Sequence, residues 1–324
     1  MTIWNENDPI KIEKKRIVRT ANAIGLAFIL GTVVSTVLQF FVVKSVPNEI
    51  LTSKGGIWAV QILFSTFIFT LPFIFMTPAM NTRVSVACNF KKAEKGLLLP
   101  IVLMGLGVCV VANTLGSTTA SIFYSLGFSD PETNLSASAS DGILLPIISV
   151  LGGACLPGLI EEFALRGIVL GALKKFGNSF AIIASAFLFS IMHSTFSQMP
   201  FAFIIGIYLG FAVVRTGSMW PAIIIHTLNN LFAFLTETCA SVLTEKNITI
   251  INILYCLLMV ALGFVGLYLS REKDVFTMRE IEGEAKLTLS QKLKVFLSSA
   301  GIISYIVIIA LQIVLLQIMK VLGL

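Results

Sequence analysis

Apolar runs of about 20 residues recur from one end of this 324-residue chain to the other, and each can cross roughly 30 Å of hydrocarbon as a helix. A helix satisfies its own backbone N–H and C=O groups, which the membrane interior cannot do for it. With 56% of residues hydrophobic and only 12% charged, there is too little polar surface to cover a soluble fold. The chain therefore reads as an integral membrane protein, an all-α polytopic bundle whose first partner is the lipid bilayer. Its first run, from about Ala21 to Val43, is longer than the apolar part of a signal peptide and has no small-residue cleavage site after it. It is expected to stay in place as the first span.

Charged and Pro/Gly breaks divide the sequence into about nine candidate spans, near 20–43, 57–79, 97–126, 142–173, 179–195, 199–214, 218–236, 249–270 and 295–321. Nine crossings from a cytoplasmic N-terminus put most of the 23 Lys and Arg on the inner side, in the clusters Lys11–Arg19, Arg83–Lys95, Lys174–Lys175, Arg215 and Arg271–Lys294. The outer segment from Phe128 to Asp141 has three acids and no Lys or Arg. The net charge of +6 is thus a topology signal, and no nucleic-acid partner is expected. Five scattered cysteines, Cys88, Cys109, Cys155, Cys239 and Cys256, form no C-x-x-C pair and suggest neither a disulfide framework nor a thiolate metal site. Two Gly-x-x-x-Gly spacings, Gly167 with Gly171 and Gly206 with Gly210, read as close helix contacts. The organisation expected is an N-terminal set of helices over 1–141, a catalytic core over 142–236, and C-terminal helices over 237–324 with a solvated cytoplasmic connector at 271–294.

An ionisable side chain inside the hydrocarbon costs at least about 2.5–3.5 kcal/mol, so each one requires a reason. Here they are few: Glu161, Glu162 and Arg166 in the fourth span, His193 closing the fifth, and His226 in the seventh, with Asn230 one turn beyond it. Glu162 and Arg166 are four apart and share a helix face as a structural pair, whereas Glu161 is turned about 100° away and left for another partner. At 1.5 Å per residue from the inner helix ends, Glu161 lies about 18 Å deep, His193 about 21 Å, His226 about 12 Å and Asn230 about 18 Å, one slab of the membrane. Hydrolysis of an amide needs a base for water and donors for the developing oxyanion. Glu161 with His193 is suited to the first task, and His226 with the Asn230 amide to the second. No serine stands in a G-x-S-x-G setting, so activated water has better support than a covalent nucleophile.

The run Glu161-Glu162-Phe163-Ala164-Leu165-Arg166, the run Phe189 to His193 and the run His226 to Asn230 give E-E-x-x-x-R, F-x-x-x-H and H-x-x-x-N in order. With Thr216-Gly217-Ser218-Met219-Trp220-Pro221 leading into the third, the stretch 150–236 resembles the CPBP intramembrane endopeptidases, the family of type II CAAX prenyl proteases and bacterial immunity-associated relatives. The resemblance implies a helix bundle in a bacterial cell membrane, a membrane-associated protein or peptide as substrate, and catalytic roles for Glu161, His193, His226 and Asn230. Ala164 and Leu165 depart from it, standing where bulky aromatics are common. The family's description as a metalloprotease leaves Zn2+ open, with Glu161, His193 and His226 as its three ligands; no organic cofactor is implied. Two other classes fit intramembrane Glu and His: a non-proteolytic binding or immunity protein, and a proton- or ion-coupled transporter. The transporter's expected pair of broken helices in two related halves is absent from the sequence.

Overall fold

The computed structural model describes residues 8–130, 144–240, 243–278 and 287–322, and every regular element among them is helical. The main helices are α1 (Pro9–Ser45), α2 (Lys54–Met76), α3 (Leu98–Ser125), a composite α4 (Leu144–Phe176), α5 (Asn178–Ile191), α6 (Gln198–Thr216), α7 (Trp220–Ala240), α8 (Glu245–Ser270), α9 (Leu289–Leu297) and α10 (Ala300–Val321). Seven of these, α1 to α4, α6, α8 and α10, are long and apolar enough to cross a membrane. With α7, of 21 residues, and the shorter α5, they stand where the nine spans were expected. The expected fifth span is shorter than the sequence suggested: α5 has 14 residues, about 21 Å of helix against roughly 30 Å of hydrocarbon. The chain turns back through Met192–Ser197, with Ser194 at φ 57°, and α6 returns along α5.

Most of the outer segment 128–141 lies outside the described residues, as do Arg279 and Lys286 of the connector. The described part of the connector is not wholly solvated. Thr288 and Gln291 form a reciprocal cap that starts α9, and Ser298 ends it before α10 begins, so one expected helix from 295 is two. Leu287, Lys292 and Phe296 are buried against the bundle. Lys292 tolerates burial because its ammonium donates to the Phe176 carbonyl and lies 3.6 Å from Glu13. Glu13 also accepts the Leu287 N–H at 2.9 Å, which explains why α1 continues back to Pro9, well before its apolar part.

The basic loops gather at one end of the bundle. Arg215 pairs with Glu94 at 3.0 Å and donates to the Asp274 carbonyl, Lys273 donates to Gly96 O at 2.7 Å, and Lys175 to Met80 O at 2.7 Å. At the centre runs α4, enclosed by α2, α5 and α7, and its Leu165, Ile168 and Val169 are inaccessible to solvent. Gly206 and Gly210 face Ala186 and Ile182 of α5, while Gly167 and Gly171 face Cys88 and Ala87, so both small-residue pairs are packing sites. The last helix depends on a similar approach: a Cβ at Gly25 of α1 would overlap the backbone of Gly301 in α10. Gly25→Val is therefore expected to destabilise the protein by about 1–3 kcal/mol, the usual range for overpacking, read as a lower melting temperature in detergent. A melting curve unchanged by the substitution would show that α1 and α10 do not meet there.

Candidate active site

The polar residues of α4 sit where its winding changes. Wide π turns at Leu151–Cys155 and Phe163–Val169 flank an α segment, Leu156–Glu162. Pro157 lacks the N–H that a regular helix would use, and the turn before it widens; π turns of this kind recur at functional sites. Glu161 and Glu162 are thus the last two residues of the α segment, and Arg166 lies within the second wide turn.

Glu162 and Arg166 are both fully buried, with guanidinium Nη1 2.9 Å from carboxylate Oε1. The same Oε1 lies 2.9 Å from Nδ1 of His226 on α7, a link that the sequence did not reveal. An ionised carboxylate only accepts, so Nδ1 is the donor and Nε2 is turned the other way. There it faces Glu161, whose Oε2 stands 4.0 Å away, buried and without a hydrogen-bond partner among the described residues. A gap of that width between two polar atoms suits a bridging water. Close approach of α4 to α7 is secured by Gly158, where a Cβ would collide with Thr227.

His193 is connected differently. Its Nδ1 donates to the Phe189 carbonyl at 2.7 Å, since a carbonyl cannot donate, and Nε2 is left as an acceptor. Both imidazoles stand edge-on to the Phe189 ring, His193 at 4.9 Å and His226 at 5.6 Å between centroids, while the Arg166 guanidinium lies over its face at 4.1 Å. Phe189 is thus the hub that spaces the two histidines. Among the described residues no hydrogen bond joins His193 or Asn230 to Glu161 directly; Glu161, Glu162, Arg166 and His226 form the inner cluster.

Asn230 belongs to a chain of amides. Asn113 of α3 donates to Asn229 Oδ1 at 3.2 Å, and Asn229 donates to Asn230 Oδ1 at 3.5 Å, while the Asn230 NH2 has no hydrogen-bond partner among the described residues. Asn229, given no role from sequence, is buried and passes this orientation on. The signal for Asn113 was present as the lone amide of its span.

Asp130 was missed as well. Its carboxylate accepts Phe196 N–H at 2.7 Å, Ser197 N–H at 3.1 Å, Ser197 Oγ at 2.7 Å and Tyr124 OH at 2.9 Å, and so clamps the turn that follows His193. Partial burial works against its charge, but these donors outweigh burial and hold the carboxyl below its ordinary range. A depressed carboxylate stabilises the fold above its unfolded pKa of about 3.9, and the contribution is lost as pH falls through the lower folded value. The melting temperature of the wild type is expected to exceed that of Asp130→Asn by a constant margin from pH 7 to pH 5, a margin that closes below about pH 4. A margin independent of pH down to acid unfolding would contradict the charged clamp.

Both histidines keep Nε2 outward with Nδ1 engaged, an outer-shell arrangement common around zinc. Among the described residues, however, no three His, Cys, Asp or Glu stand close enough together to hold a metal ion. The donor types suit zinc and their spacing does not, so no step below passes through a metal.

Residues 143–232 match the family model described as "Type II CAAX prenyl endopeptidase Rce1-like". The chain is 22% identical over 191 residues to "Putative membrane peptidase YdiL" of Bacillus subtilis (strain 168), covering 59% of this chain and 75% of that protein. It is 23% identical over 218 residues to "Membrane-embedded CAAX protease MroQ" of Staphylococcus aureus (strain USA300), covering 63% and 85%. No solved structure matches. The matched stretch contains all three motifs.

Proposed function

We propose that this protein is an intramembrane endopeptidase that hydrolyses a peptide bond of a membrane-associated protein or peptide, using water activated by Glu161 and His193. An intramembrane peptidase in general is supported by the Rce1-like match and by the two membrane peptidase relatives. The observation that carries the finer reading is the unpartnered, buried Glu161 Oε2 facing His226 Nε2 at 4.0 Å. Glu161 takes a proton from water, and the neutral Nε2 of His193 accepts the second water hydrogen and orients it. The water oxygen adds to the scissile carbonyl carbon. As the carbonyl oxygen becomes negative, the Asn230 NH2 donates to it, and His226, held at Nδ1 by Glu162, faces it through Nε2. The intermediate then expels the amine, which leaves with the proton held by Glu161. Glu162 and Arg166 position His226 and do not touch the substrate.

In this reading the N-terminus faces the cytoplasm of a bacterial cell, and substrate enters laterally or from the basic end of the bundle. Comparative membrane proteomics of wild type against Glu161→Ala tests it: at least one peptide terminus is expected to vanish in the variant at equal expression. Identical sets of termini would favour a non-proteolytic binding protein. Zinc has its own test on purified protein. Cleavage that survives exhaustive chelation supports the route above, and loss restored by Zn2+ would bring Glu161, His193 and His226 together as ligands.

A further inference from the structure

Far from the motifs, at the basic end of the bundle, α1 and the turn closing α4 enclose a cavity of about 580 Å3 lined by Glu13, Arg16, Arg19, Thr20, Asn81 and Lys175 among others. Arg16 and Arg19 are three apart on α1 and present one face to it. Lys175 arrives from a different element and is held in place by the Met80 carbonyl at 2.7 Å. Three cations converge, and the acid beside them is already committed, since Glu13 accepts the Leu287 N–H and stands 3.6 Å from Lys292. Neither guanidinium has an ion pair among the described residues. Topology explains why this end of the protein is basic, but not why three cations from two elements face one hollow with no uncommitted acid among the described residues that line it.

We propose that this cavity binds a phosphate group, supplied by the headgroup of an anionic membrane lipid. Phosphate is the ligand that a fork of two arginines and an ammonium fits. The lipid source follows from level: Arg19 stands two residues before the apolar part of α1 begins at Ala21, where headgroups lie, and Pro9, Ile12 and Phe176 give the cavity an apolar border. A seated lipid would join the cytoplasmic ends of α1, α4 and α9, because Phe176 also accepts the Lys292 ammonium.

The test is native mass spectrometry of the full chain released from nanodiscs containing equal phosphatidylglycerol and phosphatidylcholine with matched acyl chains. Wild type is expected to retain phosphatidylglycerol roughly tenfold over phosphatidylcholine. R16Q/R19Q is expected to lose that preference, and K14Q/K15Q to keep it, since Lys14 and Lys15 are exposed outside the cavity and remove the same charge. Lys175→Met, on the other element, is expected to reduce the preference too, and it carries the test should the double variant fail to fold. An unchanged preference in R16Q/R19Q or Lys175→Met, or an equal loss in K14Q/K15Q, overturns the site. Displacement of the retained lipid by 10 mM inorganic phosphate overturns the lipid as its source and assigns the cavity to a soluble phosphate.

Discussion

Glu161→Gln is expected to lower the rate of peptide cleavage by about 10²- to 10⁴-fold, the span associated with a positioned general base, while the folded protein becomes no less stable. The two halves of that expectation have one cause. Glu161 Oε2 is buried with no hydrogen-bond partner among the described residues, and the facing imidazole of His226 is 4.0 Å off and already tied to Glu162. An ionised carboxylate in such a place costs free energy, so an amide of the same shape relieves the fold of it and removes the base. The measurement pairs single-turnover cleavage of a reconstituted substrate with thermal melting in the same detergent. Equal cleavage by the variant would remove Glu161 from the chemistry, and a large fall in melting temperature would mean that its role is structural.

Glu162→Ala is expected to do the reverse first, destabilising the protein by about 3–5 kcal/mol, the range seen when one member of a buried ion pair is removed. Arg166 has no accessible surface, and its other contacts are the Phe189 ring at 4.1 Å and the Gly206 carbonyl at 3.4 Å. Neither neutralises it. Loss of Glu162 would also release Nδ1 of His226, so whatever fraction folds is expected to cleave slowly. The double variant Glu162→Ala with Arg166→Met separates the effects: stability is expected to recover in part as the stranded charge goes, and activity is not. If Glu162→Ala melted like wild type, the pair would be exposed to water or already neutral.

The helical bundle was legible because lipid permits so little else to a sequence of long apolar runs, and because charged breaks mark the helix ends. The short α5 was not, since its apolar pattern runs on through Met192 while the turn is fixed by Asp130, more than sixty residues earlier in the chain. Glu161, Glu162, Arg166 and His226 could be chosen from cost alone, as charges in hydrocarbon. What cost could not tell was which carboxylate the imidazole would take: a helix wheel gives faces, not the wide turns of α4 that decide how the two glutamates are aimed. The connector was misread in part because a lysine such as Lys292 looks solvated until Glu13 and the Phe176 carbonyl come to meet it.

The pairing of Glu162 with Arg166 lies within a single helix, which matters at a moment before the bundle exists. As the nascent chain leaves the ribosome and α4 partitions from the insertion machinery into lipid, those two groups can cancel each other without waiting for α7. Only Glu161 then enters as an uncompensated acid, and it can enter carrying its proton. The segment that bears Glu161 can thus be delivered as an almost neutral hydrophobic unit, its polar groups meeting those of α7 only when the later helices arrive.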